Sequence, residues 1–209
     1  YEFVCLGGAM QHQDYSPVKV DPWGDHWRIF PVDGYGDHEI IRSIMQKEKP
    51  DVLWFMTDPR FYEWLWEIEN EVRVNMPMVY YHVWDNFPVP HFNAKWYRSN
   101  DHVVCISKVT HEIVKSAAPT VDSTYLPHAV PTTYFSPPST SQERDDASDV
   151  KNQVFNSGNG ELNNPNKKIF FWNSRNARRK QSGTLIWWFK EFLDEVGHDK
   201  ASLLMHTDP

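Results

Sequence analysis

Cysteine and glycine are both scarce in this chain, with two cysteines and nine glycines among 209 residues. Two thiols make no disulfide framework. Cys5 and Cys105 each lie in a short apolar run and read as free buried thiols of an intracellular protein. The glycines nowhere fall in the GxGxxG order after a strand, which weighs against a dinucleotide-dependent oxidoreductase. Long apolar runs are missing too. No stretch approaches the ~18 residues a membrane span requires, and the first residues form no charged-then-apolar leader, so a cytoplasmic protein without a transmembrane segment is expected. Basic excess is also lacking. At a net charge of -7 there is no overall field to hold nucleic acid, and any anion must be met by a local basic patch. The ten histidines include no pair three to five apart with a third ligand nearby, so no metal site is expected.

What the chain has in quantity is aromatic residues, 15% of the total with ten Trp, within a hydrophobic share of 40% that supplies a sizeable core. Short apolar runs bounded by turn residues alternate with helical patterns, the signature of parallel α/β units. Strands are expected at Phe3–Leu6, Trp27–Pro31, Val52–Met56, Met78–His82, Val103–Ile106 and Ser123–Leu126. Helices are expected over Asp37–Lys47, Phe61–Val72 and Lys108–Ser116, with Asp37 and Asp58-Pro59 placed as caps. The chain opens directly on a strand, and so is expected to start in mid-fold. Gly34-Tyr35-Gly36 reads as a turn rather than a phosphate loop.

From Ser136 to Asn166 the composition shifts to Ser, Pro, Asn, Asp and Gly without sustained apolar period, which predicts a linker or flexible loop. Alternation then resumes with a strand over Lys168–Trp172, a helix within Ser182–Val196 and a strand over Ser202–His206.

Between the first two of these lies the densest basic segment, Asn173-Ser174-Arg175-Asn176-Ala177-Arg178-Arg179-Lys180. In doubly wound sheets ligands bind beyond the carboxyl ends of strands. A turn there offers backbone N–H groups at a helix N-terminus, and Arg175 and Lys180 add a planar fork and a point charge suited to a diphosphate. A solvated basic turn fits the same residues equally well.

The order Arg175, Lys180, Gly183 after a strand resembles the opening of the donor domain in the GT-B glycosyltransferases of the large retaining group (family 4, or group 1) that includes bacterial mannosyltransferases and sucrose synthases. Two other segments are similar to that family. The run from Thr124 to Pro137, through Pro127-His128-Ala129-Val130-Pro131 to Phe135-Ser136-Pro137, resembles its interdomain run with a later Phe-x-Pro, His128, Ala129 and Pro131 standing where Asn, Gly and Asp are usual. Cys105-Ile106-Ser107-Lys108 resembles the strand end and helix that close its first domain. The Lys180–Gly183 spacing departs from the adjacent pair that is usual there.

The resemblance implies an α/β, GT-B-like chain. Residues 1–135 would form an acceptor-side Rossmann-like domain lacking its first strand, 136–166 a linker, and 167–209 the opening part of a second Rossmann-like domain. It implies a glycosyltransferase that moves a sugar from a nucleotide-diphosphate sugar to an acceptor, with retention, without metal and without a tightly bound cofactor. Arg175, Lys180 and Asn173 would bind the donor diphosphate. His82, at the end of an apolar strand, would stand near the reacting sugar, whereas Asp85 lies two residues further on than the acid that often follows this His directly. Glu63 and Glu71 match the family's paired glutamates by count alone and read as surface carboxylates of a first-domain helix. The remaining donor-domain units and the glutamate pair are expected beyond Pro209, so the chain alone is expected to be inactive or unstable. The alternative is a GT-B-like binding or scaffolding module without turnover.

Overall fold

A computed structural model describes residues 1–8, 12–84, 86–156 and 167–208. The chain divides into two compact units, Tyr1–Val130 and Pro131–Pro209.

The first unit opens with a three-stranded sheet in the order β1-β3-β2, made of β1 (Phe3–Gly7), β2 (Val18–Val20) and β3 (Gly24–Pro31). β1 runs parallel to β3 and β2 antiparallel to it. The Gly34-Tyr35-Gly36 segment that follows is a turn: both glycines have positive φ, and the Gly36 amide donates to the Asp33 carbonyl. Helix α1 (His38–Glu48) begins on Asp37, whose carboxylate accepts the Ile40 amide at 2.9 Å, as its place in the sequence predicts.

The main sheet of this unit has four parallel strands in sequence order: β4 (Leu53–Thr57), β5 (Met78–His82), β6 (His102–Cys105) and β7 (Ser123–Tyr125). Between β4 and β5 the expected single helix is two short ones, α2 (Glu63–Glu67) and α3 (Glu69–Arg73), divided at Ile68, whose backbone leaves helical values. Composition gave no hint of α4 (Ala94–Arg98), which precedes β6. Helix α5 (Lys108–Ala117) is capped by Ser107, whose Oγ accepts the Thr110 amide at 3.0 Å, and leads to β7.

Strand alternation decides which side chains meet the helices. Phe55, Met78, Tyr80, Val103 and Cys105 join Ile41, Leu65, Trp66, Val72, Tyr97, Val114 and Ala117 in one buried cluster. At roughly 1.5–3 kcal/mol for each large apolar side chain fully withdrawn from water, this cluster is the principal source of stability. Where the strands begin, Asp101 ties the layers together: its carboxylate accepts the Met78 amide at 2.8 Å and pairs with Arg73 at 2.9 Å.

In the second unit, α6 (Ser141–Asn156) occupies part of the segment whose composition predicts no regular element. Its start has a local cause. Thr140 Oγ1 accepts the Glu143 amide at 3.1 Å while Glu143 Oε2 accepts the Thr140 amide at 3.1 Å, a reciprocal capping box that composition conceals. Strand β8 (Lys168–Asn173), helix α7 (Ser182–Val196) and strand β9 (Ala201–His206) complete the unit, β8 and β9 pairing in parallel from Lys168↔Ala201 to Asn173↔His206. Among the described residues no helix is long and apolar enough to cross a membrane.

Candidate functional sites

Two places carry the residues singled out by sequence, one in each unit. In the second, the basic segment fills the connection between the carboxyl end of β8 and the start of α7. A short 3-10 turn over Arg178–Lys180 leads to Gln181, which adopts the left-handed conformation (φ 52°) and gives α7 no side-chain cap. Part of the turn's backbone is already spent: the Ser174 amide donates to the His206 carbonyl, Ala177 to Arg175, Lys180 to Ala177 and Gln181 to Arg178. The amides of Ser182, Gly183 and Thr184 open α7, where intrahelical acceptors are lacking.

The side chains of this turn divide into two groups. Asn173 Oδ1 accepts from His206 Nδ1 at 2.9 Å, so the ends of the two parallel strands are joined, and among the described residues the Asn173 amide nitrogen has no hydrogen-bond partner. Ser182 Oγ donates to Asn176 Oδ1 at 2.6 Å and closes the turn on the helix start. Arg175, Arg178, Arg179 and Lys180 are all exposed, and among the described residues none has a carboxylate partner. Four exposed cations, none with a carboxylate partner among the described residues, thus lie in the connection that leads to an uncapped helix start at the carboxyl edge of a parallel pair. Such an arrangement attracts an anion through the charges and the helix dipole together. Gly183 sits in the first helical turn, where an added Cβ meets nothing within 4 Å, so local packing does not demand glycine there.

The first unit places His82 where the sequence puts it, at the carboxyl end of β5, but inside the core. The ring has no solvent exposure. Nδ1 lies 2.9 Å from the Tyr80 hydroxyl and Nε2 2.8 Å from that of Tyr97. Burial drives the imidazolium pKa down to about 3, so the ring is neutral throughout the physiological range. The same burial raises Tyr97 to about 12 and Tyr80 further. Tyr80 in turn donates to the Thr57 carbonyl at 2.5 Å. Sequence reasoning chose His82 and missed its partners, although Tyr80-x-His82 has the period-2 spacing that puts both on one sheet face. Tyr97 arrives from α4, for which no sequence pattern prepared. Asp85 lies outside the described residues.

No family model matches the chain, and no curated protein matches it.

The other segments marked by sequence are placed as follows. Leu126–His128 folds back on the main sheet: the Tyr81 hydroxyl donates to the Leu126 carbonyl at 2.8 Å, and the His128 ring stacks on Tyr81 at 5.2 Å and 9°. Glu71 is held by Arg42 through two hydrogen bonds of 2.8 and 2.9 Å, and that partner pulls its pKa down. It is a surface carboxylate engaged elsewhere, and Glu63 is exposed on α2. Among the described residues no group of three or more His, Cys, Asp or Glu is placed to hold a metal ion.

Proposed function

We propose that this chain is part of a glycosyltransferase that uses a nucleotide-diphosphate sugar, with a GT-B-like arrangement of two Rossmann-like domains. The observation that carries the reading is the connection from β8 to α7. Arg175, Arg178, Arg179 and Lys180 stand without carboxylate partners among the described residues, at the place in a parallel βαβ unit where phosphates are bound. As the glycosidic bond to the donor breaks, charge accumulates on the departing diphosphate. Cations at that position favour the transition state more than the ground state. Arg175 supplies a fork that matches two phosphate oxygens, Lys180 a point charge, and Asn173 an amide donor beside them.

Calorimetric titration with nucleoside diphosphates tests it. Binding is expected, with Arg175→Ala and Lys180→Ala each weakening it about tenfold or more, the loss of one charge-assisted contact. Equal affinity in both variants and the unmodified chain refutes the assignment.

One observation favours the second reading, a binding module of the same fold without turnover: both ring nitrogens of His82 are engaged inside the core. A chain that binds the diphosphate but leaves the donor sugar attached would be this module.

A further inference from the structure

The hydrogen-bond chain through His82 has a direction that elementary valence fixes. Tyr80 has one hydroxyl proton and two neighbours, the Thr57 carbonyl at 2.5 Å and His82 Nδ1 at 2.9 Å. A carbonyl oxygen only accepts, so the Tyr80 proton goes to Thr57 and the Tyr80 oxygen takes a proton from His82 Nδ1. The neutral ring then has a bare Nε2, which accepts the Tyr97 hydroxyl at 2.8 Å. The Tyr97 oxygen accepts in its turn from Asn93 Nδ2 at 3.4 Å. Asn93, Tyr97, His82 and Tyr80 are all buried, so no competing water resets the order. The chain runs one way, from Asn93 before α4 to the backbone of Thr57 at the end of β4.

Its far end is the one described strand residue other than glycine with a positive φ. Thr57 has φ 148°, in a region where a β-branched side chain crowds the backbone and glycine is the usual occupant. It is also the register partner of His82. Immediately beyond it, Asp58 caps the 3-10 turn Pro59–Phe61 by accepting the Arg60 amide at 3.3 Å. The strained peptide thus sets the direction in which the β4 turn leaves the sheet.

We propose that His82 is a positioning residue: fixed as the Nδ1–H tautomer, it relays the orientation of Tyr97 through Tyr80 to the Thr57 carbonyl and so holds the β4 turn at the carboxyl edge of the sheet. Its lone pair and its proton are both committed within the core. It therefore exchanges no proton with a bound molecule, and the residues it presents at the edge are Thr57, Asp58 and Arg60. This role does not depend on donor binding at the connection from β8 to α7.

Nitrogen-15 NMR of the histidine side chains in the 209-residue chain tests the direction. His82 is expected as the Nδ1–H tautomer, without titration between pH 8 and pH 5. An Nε2–H tautomer, or a ring that titrates in that range, overturns the proposal. The mechanical part is read from a double-mutant cycle in urea. Thr57→Gly relieves the strain and should raise the folding equilibrium constant about tenfold. In a Tyr80→Phe background, where the carbonyl is no longer held, the gain should vanish. Additive effects overturn the relay. Should Tyr80→Phe fail to fold, the wild-type tautomer together with Thr57→Gly decides, and a Thr57→Gly chain no more stable than wild type refutes the strain.

Discussion

Acidification should destabilise the first unit well before its carboxylates are protonated, because His82 is buried as a neutral ring. An unfolded histidine titrates near pH 6.5, whereas folding holds this one down to about 3. Between those values the unfolded chain binds a proton that the folded chain does not, so stability rises with pH there. The contribution is complete above about pH 6.5 and is lost as pH falls toward 3. Its slope is ~1.4 kcal/mol per pH unit, so going from pH 8 to pH 5 should cost about 2 kcal/mol. That is a large part of a typical domain's margin. The ring is fully buried, so solvent screening brings no discount. Urea unfolding followed by tryptophan fluorescence, on wild type and His82→Gln at both pH values, isolates the effect: the other nine histidines are common to both chains and cancel. Wild type should lose about 2 kcal/mol more than the variant. An equal pH dependence in the two would refute the burial of a neutral His82.

Three further outcomes are expected. Leu65→Ala removes a fully enclosed side chain from the cluster between α2 and the main sheet and should cost about 2–5 kcal/mol in chemical denaturation. Asp101→Asn keeps the shape but weakens the hold on Arg73 and the Met78 amide. Burial alone would raise the Asp101 pKa, yet those two donors outweigh it and bring the pKa down. The expected loss is about 1–2 kcal/mol at neutral pH, read by urea unfolding, and it should shrink as pH drops through the carboxylate range. Glu143→Ala breaks the reciprocal cap of α6 and should reduce helicity at Ser141–Arg144, seen as a loss of helical carbon-13 shifts there, by an amount corresponding to about 1 kcal/mol.

Strand periodicity made most of the architecture legible. β4, β5, β6 and β8 carry β-branched or aromatic residues in runs too short for helices, and their parallel pairing follows from the helical segments between them. Asp37 was readable as a helix start and Asp58 as the cap of a turn for the same local reason, whereas the Ser107 cap emerged only in the structure. β2 and α4 were not: with three and five residues, neither shows a period in the sequence. The capping box at Thr140–Glu143 was present in the sequence but hidden within a composition that signals disorder.

For the sites the division is sharper. The chain's own order places Arg175, Lys180 and Asn173 on one connection, because a strand, a turn and a helix that follow each other directly must keep their junction together. Tertiary structure decided that these cations stand without carboxylate partners among the described residues. It also decided the character of His82. A histidine at a strand end is an exposed candidate or a buried hydrogen-bonding ring according to what covers it, and here Tyr97, fifteen residues away on α4, supplies both the cover and the donor. The sequence by itself determined where the ring would be. Burial between a helix and a sheet determined that it would be neutral, tautomerically fixed and closed to solvent.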